Sequence, residues 1–238
     1  GRELEVRLCW QALEPSPPYD RVRLILEGEQ RLVLYEDSPS EDFGFSQWRR
    51  GEVVEGRYRP RLPRDLAPGT YQLVLYLDEA RGLSLGELDV QPVDRAFALP
   101  DIAYPVEVTF ADAQGGLIRL LGYDVEDLKV GGTLSLTLYW QPVREMSVDY
   151  RVFVHLLDAE SGRLVAQLDQ MPKAGSYPTS LWMTGEVIAD PHTLQVPPDL
   201  RPGNYALSVG FYRPVSGDHL RIDGDQAYRL TTLETGGD

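Results

Sequence analysis

A chain of 238 residues, 42% hydrophobic, suits one large domain or two of about 100–120 residues, and it is too apolar to stay unfolded. The formal charge of −14 argues against a nucleic-acid partner, because phosphate binding needs clustered Lys and Arg. The single cysteine, Cys9, excludes an internal disulfide and a cysteine-based zinc site. No apolar run approaches the roughly 18–20 residues of a membrane helix, so no direct membrane insertion is expected of this region.

Period-two alternation begins at once. In "EVRLCWQ", Val6, Leu8 and Trp10 share one face and Arg7, Cys9 and Gln11 the other. The arginine face is the wetter one, which sends Trp10 into a core. Farther on, "SQWRRGEVVEG" (46–56) carries Trp48 and a Gly-Glu pair. Arg57, Arg59, Arg61 and Arg64 then read as a solvated edge among acids and prolines. "DLAPGTY" follows, with Tyr71, Leu73, Leu75 and Leu77 as an inward row. Residues 93–105, within the Pro-rich "QPVDRAFALPDIAYP", read as a linker between a first module (1–92) and a second (106–238).

The second module opens with "VEVTFAD", "GLIRLLGYDVEDL" and the turn "KVGG", and then repeats the first. Trp10 pairs with Trp140 at an offset of about 130, Trp48 with Trp182 and Tyr71 with Tyr205 at about 134. Two homologous modules are expected, the first lacking its opening strand. Leu136, Leu138 and Trp140 should point inward, as should Val152, Val154 and Leu156, with Phe153, His155 and Leu157 on the opposite face. Helical spacing is poor, and turns recur at roughly ten-residue intervals. The expected fold is therefore all-β: two tandem antiparallel sandwiches of immunoglobulin-like or jelly-roll type. The repeated Pro-Gly-x-Tyr resembles a tyrosine corner, so Tyr71 and Tyr205 are expected to be structural, each hydroxyl being worth about 1 kcal/mol. Trp10, Trp140 and Trp48 are assigned structural roles as well.

Chemistry finds few footholds. There is no nucleophile elbow, and the histidines at 155, 192 and 219 lack companion motifs. "DAESGR" and "DGDQ" read as hairpin turns before they read as calcium loops. No cofactor or metal is assigned, and a hydrolase is the least favoured alternative. Carbohydrate binding is the stronger one, because sugars stack on exposed aromatics. The long loop "QLDQMPKAGSYPTSLWMTGE" (167–186) offers Tyr177 and Trp182 for stacking, with Gln167, Asp169 and Glu186 for hydrogen bonds. Against that stands the alternative of Trp182 as an edge plug, since Trp48 keeps the Trp while its loop is rewritten. Tyr177 shows no such counterpart in sequence.

The stretch from "FVHLLDAESGR" through "DLRPGNYALSVGFY" to "SGDHLRI", with "LLGYDVEDLKVGGTLSLTLYWQ" upstream, resembles a β-sandwich module of bacterial membrane proteins of the Chloroflexi type. There the module often follows the multi-helix part of glycosyltransferases similar to protein mannosyltransferases. The resemblance covers about 106–233 and extends to 3–90 through the internal repeat. It implies an extracytoplasmic, non-catalytic appendage whose partners are other domains of the same longer polypeptide, the glycosyltransfer site lying elsewhere in that polypeptide. It carries no site residues. Glycans remain the alternative partner.

Overall fold

The alternating stretches become strands in a computed structural model that describes residues 3–40, 43–77 and 81–235. Six strands form the first part: β1 (Val6–Gln11), β2 (Val22–Glu27), β3 (Arg31–Asp37), β4 (Val53–Tyr58), β5 (Gly69–Tyr76) and β6 (Gly82–Val90). Eight form the second: β7 (Tyr104–Asp112), β8 (Gly115–Val125), β9 (Thr133–Pro142), β10 (Arg151–Asp158), β11 (Leu164–Gln170), β12 (Ile188–Gln195), β13 (Asn204–Tyr212) and β14 (Tyr228–Glu234). Every pairing is antiparallel. No helix among the described residues is long and apolar enough to cross a membrane.

The chain divides into two units, 1–93 and 94–238. In the first, β1-β4 form one sheet and β3-β2-β5-β6 the other. In the second, the sheets run β12-β9-β8-β7 and β11-β10-β13-β14. Strand for strand the orders coincide, except that the second unit adds both β7 and β8 ahead of its Trp strand. In immunoglobulin-type Greek keys, strands B and E pair in one sheet while C and F pair in the other. The pairs β9/β12 and β10/β13 hold those places, so the order is immunoglobulin-like rather than that of a jelly roll.

The inward rows fall where alternation puts them. Leu136, Leu138, Trp140, Val152, Val154, Leu156, Leu207, Val209 and Phe211 are all buried in one cluster, which spans both sheets of the second unit. The Trp140 ring meets Phe211 at 4.6 Å and Phe110 at 6.0 Å in edge-to-face arrangements. In the first unit Trp10 is only partly buried, and it packs on Phe45 and Trp48. Cys9 is exposed, as its place opposite Trp10 requires.

Phe153 departs from expectation. It lies on the face opposite Val152 and Val154, yet it is buried, because the hairpin after β13 brings His219 over it at 5.6 Å. Gly210 lies opposite it on β13, and a Cβ there would stand 2.3 Å from the Phe153 ring.

Both tyrosine corners form. The Tyr71 hydroxyl donates to the Ala67 carbonyl at 3.0 Å and that of Tyr205 to Arg201 at 2.7 Å, each four residues upstream. Residues 94–103, inside the stretch read as a linker, pack with the second unit. Ala96 accepts a hydrogen bond from the Val187 amide at 2.7 Å, and Arg95 enters the loop that holds Tyr177.

Candidate functional site

The loop from Met171 to Val187 leaves β11 at the edge of one sheet and delivers the chain to β12 at the edge of the other. It is held by backbone geometry that the first unit shares. The Trp182 amide closes a 3₁₀ turn on Thr179, and its indole N–H donates to the Tyr177 carbonyl at 3.0 Å. The Trp48 amide does the same on Phe45, and its indole donates to the Phe43 carbonyl at 3.2 Å. Phe43 is thus the counterpart of Tyr177, which the sequence had left without one. The role belongs to a backbone carbonyl, so side-chain identity is free to differ.

The Gly-Glu pair completes the joint. Gly185 (φ +80°) and Gly51 (φ +84°) occupy the left-handed region that favours glycine. Their amides donate to the carbonyls of Pro142, the last residue of β9, and Ala12, the residue after β1. One residue on, the Glu186 carboxylate accepts the Met183 amide at 3.0 Å, and Glu52 accepts that of Arg49 at 2.9 Å. Each glutamate caps its own turn.

The second unit then adds a buried ionic cluster. Tyr177 donates its hydroxyl to Glu186 at 2.7 Å, and Arg95 reaches the same carboxylate at 2.8 Å. Arg95 also donates to the Leu181 carbonyl at 3.0 Å and bonds the Tyr177 hydroxyl. Its guanidinium lies 5.8 Å from the Tyr177 ring centre, and the Lys173 ammonium lies 5.5 Å from it. Burial first, then the bond to the Glu186 carboxylate, push the Tyr177 phenol far above its ordinary range.

The expected aromatic platform is therefore absent. Trp182 is fully buried, and Tyr177 and Glu186 are buried with their polar atoms bonded inside the protein. A sugar needs an open ring face, and this loop presents none. Gln167 and Asp169 are exposed on β11, a different element from the loop, and they do not converge with the other three. Compared with known proteins, the chain matches no family model and no curated protein.

A second buried polar group lies on β12. Alternation turns Ile188, Asp190, His192 and Leu194 to the core, where Asp190 and His192 are both buried. Asp190 accepts the Trp140 indole N–H at 3.2 Å and the Lys173 amide at 2.7 Å. His192 Nε2 lies 2.9 Å from Asp190, and its Nδ1 lies 2.8 Å from the Gln170 amide nitrogen. The pairing looks like half of a catalytic triad. Both ring nitrogens are occupied, however, one by buried Asp190 and the other by partly buried Gln170, so neither faces a nucleophile.

The first unit satisfies its Trp differently. Trp10 donates its indole N–H to the Tyr58 hydroxyl at 3.2 Å, and Tyr58 donates onward to the Pro39 carbonyl at 2.6 Å. At an offset of 134, Tyr58 corresponds to His192, Gly56 to Asp190 and Pro39 to Lys173. Gly56 leaves room for the phenol, since a Cβ there would lie 2.3 Å from the Tyr58 hydroxyl. Burial pushes the Tyr58 phenol up to about 12.

The two acidic turns are turns. Asp158 accepts the Ser161 amide and hydroxyl, each at 2.7 Å, which holds its carboxyl below the usual range. Asp225 and Ile222 close a tight bridge around Gly224. Among the described residues, no group of three or more His, Cys, Asp or Glu side chains is placed to hold a metal ion.

Proposed function

We propose that the chain is a non-catalytic, extracytoplasmic β-sandwich region of a larger membrane or surface protein, packing against and positioning other domains of that polypeptide. One observation carries the reading. The loop residues richest in chemical potential, Tyr177, Trp182 and Glu186, are consumed in a buried joint that clamps Arg95, at the entrance of the second unit, to the edge of its sandwich. A segment pinned this way belongs to the body of the second unit and is not a free tether. The shared strand order and the shared Trp-Gly-Glu joint support duplication of one module. The resemblance of 106–233 to modules that follow membrane glycosyltransferases supplies the setting.

The test is made on the protein in its native cells. Cross-linking with mass spectrometry is expected to join surface residues of this region to other segments of the same polypeptide, and protease added outside intact cells is expected to remove the region. A reading frame no longer than these 238 residues, or protection from external protease, would overturn the proposal.

A further inference from the structure

A cleft of about 410 Å³ opens at one end of the second sandwich. The β7–β8 turn, the loop after β9 and the hairpin after β13 form its walls. Its floor is apolar, built from the buried side chains of Leu117, Met146 and Leu220. The volume falls within the range of small-molecule sites, roughly 300–1,000 Å³.

Polar groups on these walls are left unsatisfied, in contrast to the joint described above. Tyr150 lines the cleft and is only 4% exposed. Arg213, partly exposed, shows no ion pair or side-chain hydrogen bond among the described residues. Two buried nitrogens of lining residues, Arg144 Nε and His219 Nδ1, lack partners among the described residues. A buried nitrogen left without a partner costs stability, and in a folded protein it calls for an explanation such as a bound ligand.

Charge narrows the ligand. Arg144 is paired with Asp112, and Arg221 donates to the Gly224 carbonyl at 3.1 Å. Arg213 is therefore the lining arginine whose guanidinium is engaged by neither a carboxylate nor a carbonyl among the described residues. Three arginines and three carboxylates line the cleft, so its formal charge cancels within a chain of net charge −14. A dianion such as phosphate meets the carboxylates of Asp112, Glu145 and Asp218, whereas a single carboxylate needs only one guanidinium. Hydroxyl groups on the ligand would suit Tyr150 and the imidazole of His219, and the apolar floor would take a C–H face.

We infer that this cleft binds a monocarboxylate sugar of the uronic-acid class, with Arg213 pairing its carboxylate and Tyr150 bonding a hydroxyl. The site shares no residue with the joint and does not depend on the positioning role.

The test is a titration of the 238-residue chain with sodium glucuronate, followed by two-dimensional amide NMR. Glucose, acetate and inorganic phosphate serve as comparison ligands. Saturable shifts confined to residues around 111–118, 143–150 and 213–221 are expected with glucuronate, at affinities on the order of millimolar. Arg213→Gln should weaken binding about tenfold or more, the loss of one charge-assisted hydrogen bond. Tyr150→Phe should weaken it about threefold or more and keeps the ring that packs in the core. Unchanged spectra at about 50 mM glucuronate would overturn the inference. So would equal binding of glucose, acetate or phosphate, or affinity unchanged in a folded Arg213→Gln variant.

Discussion

Arg95 holds Glu186 across 91 residues of sequence, with 2.8 Å between guanidinium and carboxylate and only 13% and 2% of the two side chains exposed. A buried pair is costly to break from one side, because the surviving charge stays out of water. Arg95→Met should therefore destabilise the second unit by about 3–5 kcal/mol in urea unfolding. Adding Glu186→Gln should cost much less than the sum of the two single changes, since the neutral amide no longer needs a counter-ion.

Gly51 and Gly185 offer a cleaner measurement. Both have φ near +80°, and a Cβ at either would meet nothing within 4 Å. Alanine should thus cost only the backbone penalty of the left-handed region, about 1–2 kcal/mol, and by similar amounts at the two positions. Asparagine should cost less at both. Thermal unfolding of the four single variants checks the equivalence of the two joints.

The two solutions for the core Trp predict a coupling in the first unit. Gly56→Ala places a methyl against the Tyr58 hydroxyl and the Pro39 carbonyl, at 2.3 and 2.6 Å before relaxation. The expected loss is about 1–3 kcal/mol, the scale of overpacking. Tyr58→Phe removes one of the two obstacles, so the double variant should be more stable than additivity allows. Strict additivity in denaturant unfolding would contradict the shared use of this space.

His155 gives the second unit a pH dependence. Burial lowers its pKa from the usual 6.5, with Asp169 opposing the shift and His219 adding to it. The unfolded chain then takes up the proton first as acidity rises. The stabilising contribution is complete above about pH 6.5 and is lost as pH falls through the lower folded value. His155→Ile, which copies Ile25 of the first unit, should reduce the difference in unfolding free energy between about pH 8 and about pH 5. A difference equal to that of the parent chain would contradict it.

These predictions rest on features legible in the sequence to different degrees. The inward rows and both tyrosine corners could be read because strand period and Pro-Gly turns are local. The repeated Trp and Gly-Glu could be read because glycine conformation and turn capping constrain residue type. Tyr177 misled because its role in the joint is played by its carbonyl, which Phe43 supplies equally well. Asp190 and His192 alternate with Ile188 and Leu194, but as polar residues they are not assigned to an inward row. Their polarity hid the fact that they satisfy one another, Trp140 and Gln170. Arg95 sat in a Pro-rich stretch without pattern, and nothing local points to a partner 91 residues away. The cleft at Tyr150 and Arg213 joins three turns distant in sequence, and only the folded chain brings them together.

The central claim is that the loop before β12 is a joint and not an open binding surface. Amide hydrogen exchange measures this most directly. The amides of Trp182, Glu186 and Val187 are bonded to Thr179, Met183 and Ala96 beneath buried side chains. They should exchange only when the second unit unfolds, at the rates of central amides in β9 and β13, and added glucose should not protect them beyond those strand amides. Exchange as fast as in the exposed turn at 214–217, or protection by glucose that is confined to these loop amides, would contradict the account.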